Sequence, residues 1–285
     1  MDWLHVHRGD VPLVVAFPHG GTDLAGLDDH FVSPWLARVD TDWWIAELYA
    51  FVRDLGATTV ATDISRSVID MNRDPSGASL YPGQATTELC PTTSFDGEPL
   101  YRGGGPDAAE VGRRLDHWHR PYHAALAGEL ERLRATHGRV VLYDAHSIRS
   151  HVPRLFDGEL PQFNIGTNNG ATCAAELTDA VAAACLRPGE SRGPSSGGET
   201  GPRLPPGNDL VVNGRFKGGW TTRHYGRPKQ GVHAIQMELA QRGYMAEPAA
   251  PDESNWPSPL DPDPAILPVL RRAIAATLDF AKGQS

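Results

Sequence analysis

Five consecutive apolar residues, Leu13 to Phe17, end abruptly on Pro18, His19, Gly20 and Gly21. A short apolar run bounded by Pro and Gly predicts a buried strand. Residues 58–62 (TTVAT), 139–147 (RVVLYDAHS) and 231–239 (GVHAIQMEL) read as three more. Stretches of helical period lie between them. In 40–57, Ile45, Leu48, Tyr49, Val52 and Leu55 share one helical face and Gly56 supplies a stop. Residues 110–138 predict a helix broken or kinked at Pro121, which lacks a backbone N–H. Residues 170–186 and 264–283 predict two further helices.

This alternation favours one α/β domain over 1–285, a sandwich around a mixed or mostly parallel sheet. Ligands of such sheets sit beyond the carboxyl ends of the strands. His19, Asp144 and His146 fall there. Residues 187–209 are dense in Gly, Pro and Ser and read as a flexible surface insertion.

Composition narrows the function classes. The net charge of -9, from 26 basic and 35 acidic side chains, argues against a nucleic-acid partner, which needs a basic stripe. Cys90, Cys173 and Cys185 are scattered and offer neither a disulfide framework nor a cysteine zinc site. No run approaches the roughly 18–20 apolar residues of a membrane span. The stretch MDWLHVHRGD has no apolar core of signal-peptide length, so a cytoplasmic protein is expected.

Most of the 12 histidines need no special role; His5, His7, His117, His119, His123 and His137 read as solvated or half-buried side chains. His19 and His146 differ, because each follows an apolar run and sits among small residues, in PHGG and DAHS. Imidazole is the commonest metal ligand, and two histidines with one carboxylate form a common zinc set. Asp40, Asp42, Asp63, Asp70 and Asp144 are the candidate carboxylates. Asp42 can equally cap the helix it opens. Asp144 lies two residues before His146, on the same face of a strand, as a ligand or as the acceptor behind a ligand histidine.

Arginine grips carboxylates through paired hydrogen bonds. Arg66, Asn72 and Arg73 cluster in DISRSVIDMNRDPSG, and Arg215, Lys217, Arg223, Arg227 and Lys229 in 211–231. Either cluster suits an anionic substrate, and either can be a solvated salt-bridge set. Glu238 lies inside an apolar strand, where partial burial suits a carboxylate to general-base work.

Collinear blocks carry a resemblance that covers most of the chain: FPHGGTDL, VDTDWWIAELYAF, SRSVIDMNRDPSG, LYDAHSIRSHVPRLFDG, FNIGTNNG, VNGRFKGGWTTRHYGRP and GVHAIQMEL. Together they resemble the N-formylglutamate amidohydrolase (deformylase) family of histidine degradation. That resemblance implies a three-layer fold similar to zinc-dependent exopeptidases. It implies one divalent metal, zinc or else cobalt, iron or manganese, held by His19, Asp42 and His146, with Asp144 as the alternative acid. The exopeptidase His-x-x-Glu spacing is absent, since Thr22 stands three residues after His19. Glu238 is the implied base. Asn72 and Arg73 would bind one carboxylate of a dicarboxylate substrate, with Arg66, Arg149, Lys217 and Arg223 competing for the second. The implied reaction is hydrolysis of N-formyl-L-glutamate to formate and L-glutamate. Other N-acyl or N-formimino acidic amino acids, or a non-catalytic role in binding acidic metabolites, are the alternatives.

Overall fold

The computed structural model describes residues 1–79, 83, 86–186 and 209–284. Residues 187–208, nearly all of the expected flexible insertion, lie outside the described residues. Among the described residues, seven strands form one sheet: β1 (Leu4–His7), β2 (Leu13–Phe17), β3 (Thr58–Thr62), β4 (Val140–Ile148), β5 (Phe163–Gly166), β6 (Leu210–Val212) and β7 (Val232–Ala240). Their order is β1-β3-β2-β4-β7-β5-β6. The β3-β2, β2-β4, β4-β7 and β5-β6 pairs are parallel, while β1-β3 and β5-β7 are antiparallel. The sheet is therefore mixed and mostly parallel. β2 and β4 are buried at every position, as expected for strands covered on both faces.

The helices are α1 (Ile45–Leu48), α2 (Ala108–Arg114), α3 (Arg120–His137), α4 (Ala175–Cys185), α5 (Trp220–Tyr225) and α6 (Leu267–Ala281). One face of the sheet carries Tyr143, which shares a hydrogen bond with Tyr49 (3.2 Å), and His233, whose ring meets Phe280 of α6 at 4.9 Å. The opposite face carries Asp144, which accepts from Thr222 of α5. α5 in turn packs against α3 through Trp220 and His123.

Two expected helices are reshaped. The stretch 40–57 is one short turn of α-helix, Ile45–Leu48, and a 3-10 turn, Ala50–Val52, because Trp44 takes a left-handed backbone (φ 59°). Ile45, Leu48, Tyr49 and Val52 still reach the core, whereas Leu55 is exposed. In 110–138 the break falls just before Pro121. With no N–H at Pro121 to bond the His117 carbonyl, the chain widens into one π turn, Leu115–His119, between α2 and α3. Strands β1, β5 and β6 and helix α5 are short, and the apolar pattern does not predict them. His119 and His123, expected at a solvated or half-buried surface, are buried.

Candidate active site

The strand ladders set the geometry. Asp144 pairs with Gln236 and His146 with Glu238 across β4 and β7, so all four project from one face near the carboxyl ends. His19 stands two residues beyond β2. The loop carrying Asp42 is pinned to that exit, where the Asp42 backbone N–H donates to the His19 carbonyl (3.1 Å). Gly21 lets the chain pass closely behind β3: a Cβ there would lie 2.4 Å from the Asp63 carbonyl carbon. The glycine thus answers a packing constraint.

His19, Asp42 and His146 converge, all three buried. Nδ1 of His146 lies 3.1 Å from Nδ1 of His19 and 3.2 Å from Asp42 Oδ2, and His19 Nδ1 lies 3.7 Å from that same oxygen. Two donors about 2.0–2.2 Å from one ion at a tetrahedral angle stand about 3.3–3.6 Å apart. The triangle fits a shared divalent cation, and the donor set of two imidazoles and one carboxylate suits zinc and its neighbours.

A carboxylate stands behind each histidine. His19 Nε2 donates to Asp70 Oδ1 (2.6 Å), leaving its Nδ1 lone pair toward the cluster. His146 Nε2 lies 3.1 Å from Asp144 Oδ1, and Thr222 Oγ1 donates to the other Asp144 oxygen (3.0 Å). Asp144 thus stands behind His146, while Asp42 faces the convergent atoms. Carboxylates placed like Asp70 and Asp144 fix ring orientation and raise ligand basicity. Arg66 donates to Asp42 Oδ1 (3.2 Å) and Asp70 Oδ2 (3.1 Å), tying the two carboxylates into one frame.

The electrostatics follow from that frame. Burial opposes charge on His146, but Asp144 and Asp42 outweigh it and hold the imidazole well above its ordinary pKa. Burial, with the Arg66 charge, pushes His19 down. Burial raises Asp42, yet its hydrogen bond to His146 and the charges of His19, His146 and Arg66 bring it below the usual range. Burial pushes Glu238 up to about 8, with the Asp42 and Asp144 charges adding to the rise.

A pocket opens over this cluster. His19, His146, Asn72 and Glu238 form part of its lining, with Phe95 and Phe216 as aromatic walls. Among the described residues, its lining arginines are Arg66, Arg73 and Arg215. Arg66 is held by the two aspartates. Arg73 donates to the Thr87 carbonyl and hydroxyl (3.0 Å each) from the pocket rim. Asn72 is fixed by Thr221 N–H, which donates to its Oδ1 (2.8 Å), and its Nδ2 lies 3.1 Å from His146 Nε2.

The remaining candidate cations stand elsewhere. Arg149 is outside the lining, donating to Asp96 (2.6 Å) and Asp40 (3.3 Å). Lys217 and Arg223 are also outside it, and Arg223 Nε donates to the Gly218 carbonyl (2.8 Å). Arg215, from the basic cluster in 211–231 but outside the expected clamps, reaches the pocket instead. Asp70, one of the candidate carboxylates, is the partner of His19.

The family profile of N-formylglutamate amidohydrolase matches residues 11–245. The chain is 47% identical to the N-formylglutamate deformylase of Pseudomonas putida over 246 residues, 86% of this chain and 85% of that one. It is 48% identical to the Pseudomonas aeruginosa N-formylglutamate deformylase over 248 residues, 86% of each. Among solved structures, the Ralstonia eutropha JMP134 N-formylglutamate amidohydrolase superposes with a TM-score of 0.74 at 26% identity, covering 99% of this chain and 98% of that one. The mixed sheet, the buried histidine–aspartate cluster at its carboxyl edge and these likenesses over most of the chain agree: this protein belongs to the N-formylglutamate amidohydrolase family.

Proposed function

We propose that this chain is a single amidohydrolase domain that hydrolyses N-formyl-L-glutamate to formate and L-glutamate in a cation-dependent reaction. The observation that carries this reading is the convergence of His19, Asp42 and His146 beside buried Glu238, in a pocket rimmed by Arg73 and Arg215. The resemblance implies histidine breakdown as the setting. Among the described residues, no helix is long and apolar enough to cross a membrane.

His19, Asp42 and His146 would hold the cation, zinc being the expected ion. When bound, a divalent cation polarises the formyl carbonyl and lowers the pKa of water. Glu238 takes a proton from the attacking water and passes it to the amide nitrogen as the C–N bond breaks. Its raised pKa suits that exchange near neutral pH. Asp70 and Asp144 keep the two imidazoles aimed, and Arg66 keeps Asp42 and Asp70 in place. Asn72 with Arg73 binds one substrate carboxylate. Arg215 is the better choice for the other, because it lines the pocket while Arg149, Lys217 and Arg223 do not.

A substrate panel tests this assignment. N-formyl-L-glutamine and N-formyl-L-norvaline each lack the side-chain carboxylate. Two cationic clamps predict a kcat/KM at least about 100-fold lower for both than for N-formyl-L-glutamate, as expected when a buried charge loses its partner. Equal turnover of all three would remove the second clamp.

A further inference from the structure

The buried histidines of the π turn and α3 have no part in the chemistry just described, yet they face the pocket's back wall. His123 Nε2 donates to the Met71 carbonyl (2.8 Å), and His119 Nε2 donates to the Arg73 carbonyl (3.1 Å). These two carbonyls bracket Asn72. The rings are four residues apart and lie 4.4 Å centroid to centroid. The π turn ends on His119, so the widened backbone before Pro121 helps set where that ring points. Trp220 of α5 packs against both, at 5.6 Å and 4.7 Å, and the next residue, Thr221, holds the Asn72 side chain from the other side. Gly219 permits this approach, since a Cβ there would lie 2.2 Å from Asn72 Nδ2.

We infer that His119 and His123 are positioning residues that hold the Asn72–Arg73 segment against the pocket and thereby set affinity for the substrate carboxylate. The inference rests on the reading of Arg73 as a carboxylate clamp. An imidazole suits the task because its Nε2–H reaches a carbonyl at a fixed angle from a rigid ring. Burial lowers the pKa of both, and the carbonyl facing each Nε2 calls for a proton on that nitrogen. Displacing a binding group by about 1 Å can cost two orders of magnitude.

The test compares KM, kcat and bound cation in His119→Leu, His123→Leu, their glutamine counterparts and Arg73→Ala. Each leucine variant is expected to raise KM for N-formyl-L-glutamate at least about tenfold, with kcat within about threefold and cation content unchanged. Glutamine, which keeps a donor near the Nε2 position, restores KM. In an Arg73→Ala background, His119→Leu adds less than about twofold, because the two act through one group. A normal KM in the leucine variants beside a raised one in Arg73→Ala overturns the positioning role alone. An unchanged KM in Arg73→Ala removes the clamp reading and this inference with it. If a leucine variant fails to fold by circular dichroism, the asparagine variant carries the same comparison, being polar but too short to reach the carbonyl.

Discussion

His146 and Glu238 occupy paired positions on adjacent parallel strands, so a candidate cation ligand and the proposed base sit side by side on one face of the sheet. The ladder fixes their separation with no loop in between. Groups built on central strands are held more tightly than groups on loops. Replacing Glu238 by Gln keeps the shape and removes the proton acceptor. We expect the cation to remain bound and kcat to fall about 10²–10⁴-fold, the usual range for a lost general base. Elemental analysis alongside steady-state kinetics checks both halves.

The carboxylates behind the histidines have a separate role. Asp70→Asn and Asp144→Asn leave His19, Asp42 and His146 in place but weaken the orientation of the rings. Cation affinity is expected to drop about 10–100-fold in each, measured by competition with a chelator. An undiminished affinity in Asp144→Asn would mean that the 3.1 Å approach to His146 Nε2 does not orient that ring.

The arginines divide by location. Arg73→Ala and Arg215→Ala are expected to raise KM steeply with the cation retained. Arg149→Ala should leave KM within about twofold and instead lower stability. It removes the ion-pair partner of the Asp40 carboxylate, whose side chain is only 10% exposed, at a cost on the order of 3 kcal/mol in chemical denaturation.

Stability should also fall in acid for a traceable reason. Burial, with the His119 charge, pushes His123 down to about 3, while in the unfolded chain it titrates near 6.5. Between those values the unfolded state binds more protons than the folded state. Stability therefore decreases as pH falls from 6.5 toward 3, with a slope of up to about 1.4 kcal/mol per unit from this group. Denaturant melts of the chelated protein at pH 6.5 and 4.5 should show that fall, and a smaller one in His123→Gln.

Much of this architecture is legible in the sequence because it depends on local pattern. The run Leu13–Phe17 is strand β2 residue for residue, and 58–62 is β3. The exit of β2 does deliver His19 to the cluster. What the pattern hides is set by contacts between distant segments. The apolar spacing of 40–57 names the correct buried face. It cannot show that the tie between Asp42 and His19, and the left-handed turn at Trp44, break the helix. Nor can spacing tell which arginine reaches the pocket. Arg149 is drawn off by Asp40 and Asp96, and Arg66 by Asp42 and Asp70, partners from 4 to 109 positions away. The clue to His119 and His123 is their four-residue spacing, but only the fold shows the carbonyls they meet.

Cation-dependent hydrolysis of N-formyl-L-glutamate at the His19–Asp42–His146 cluster has a direct test. Formate release should be measured on the purified protein, after removal of metal with a chelator, and after add-back of zinc, cobalt, iron or manganese. Formate and L-glutamate are expected in equal amounts, with loss of activity on chelation and recovery with at least one divalent cation. Undiminished formate release from metal-free protein, or no release under any loading, would contradict it.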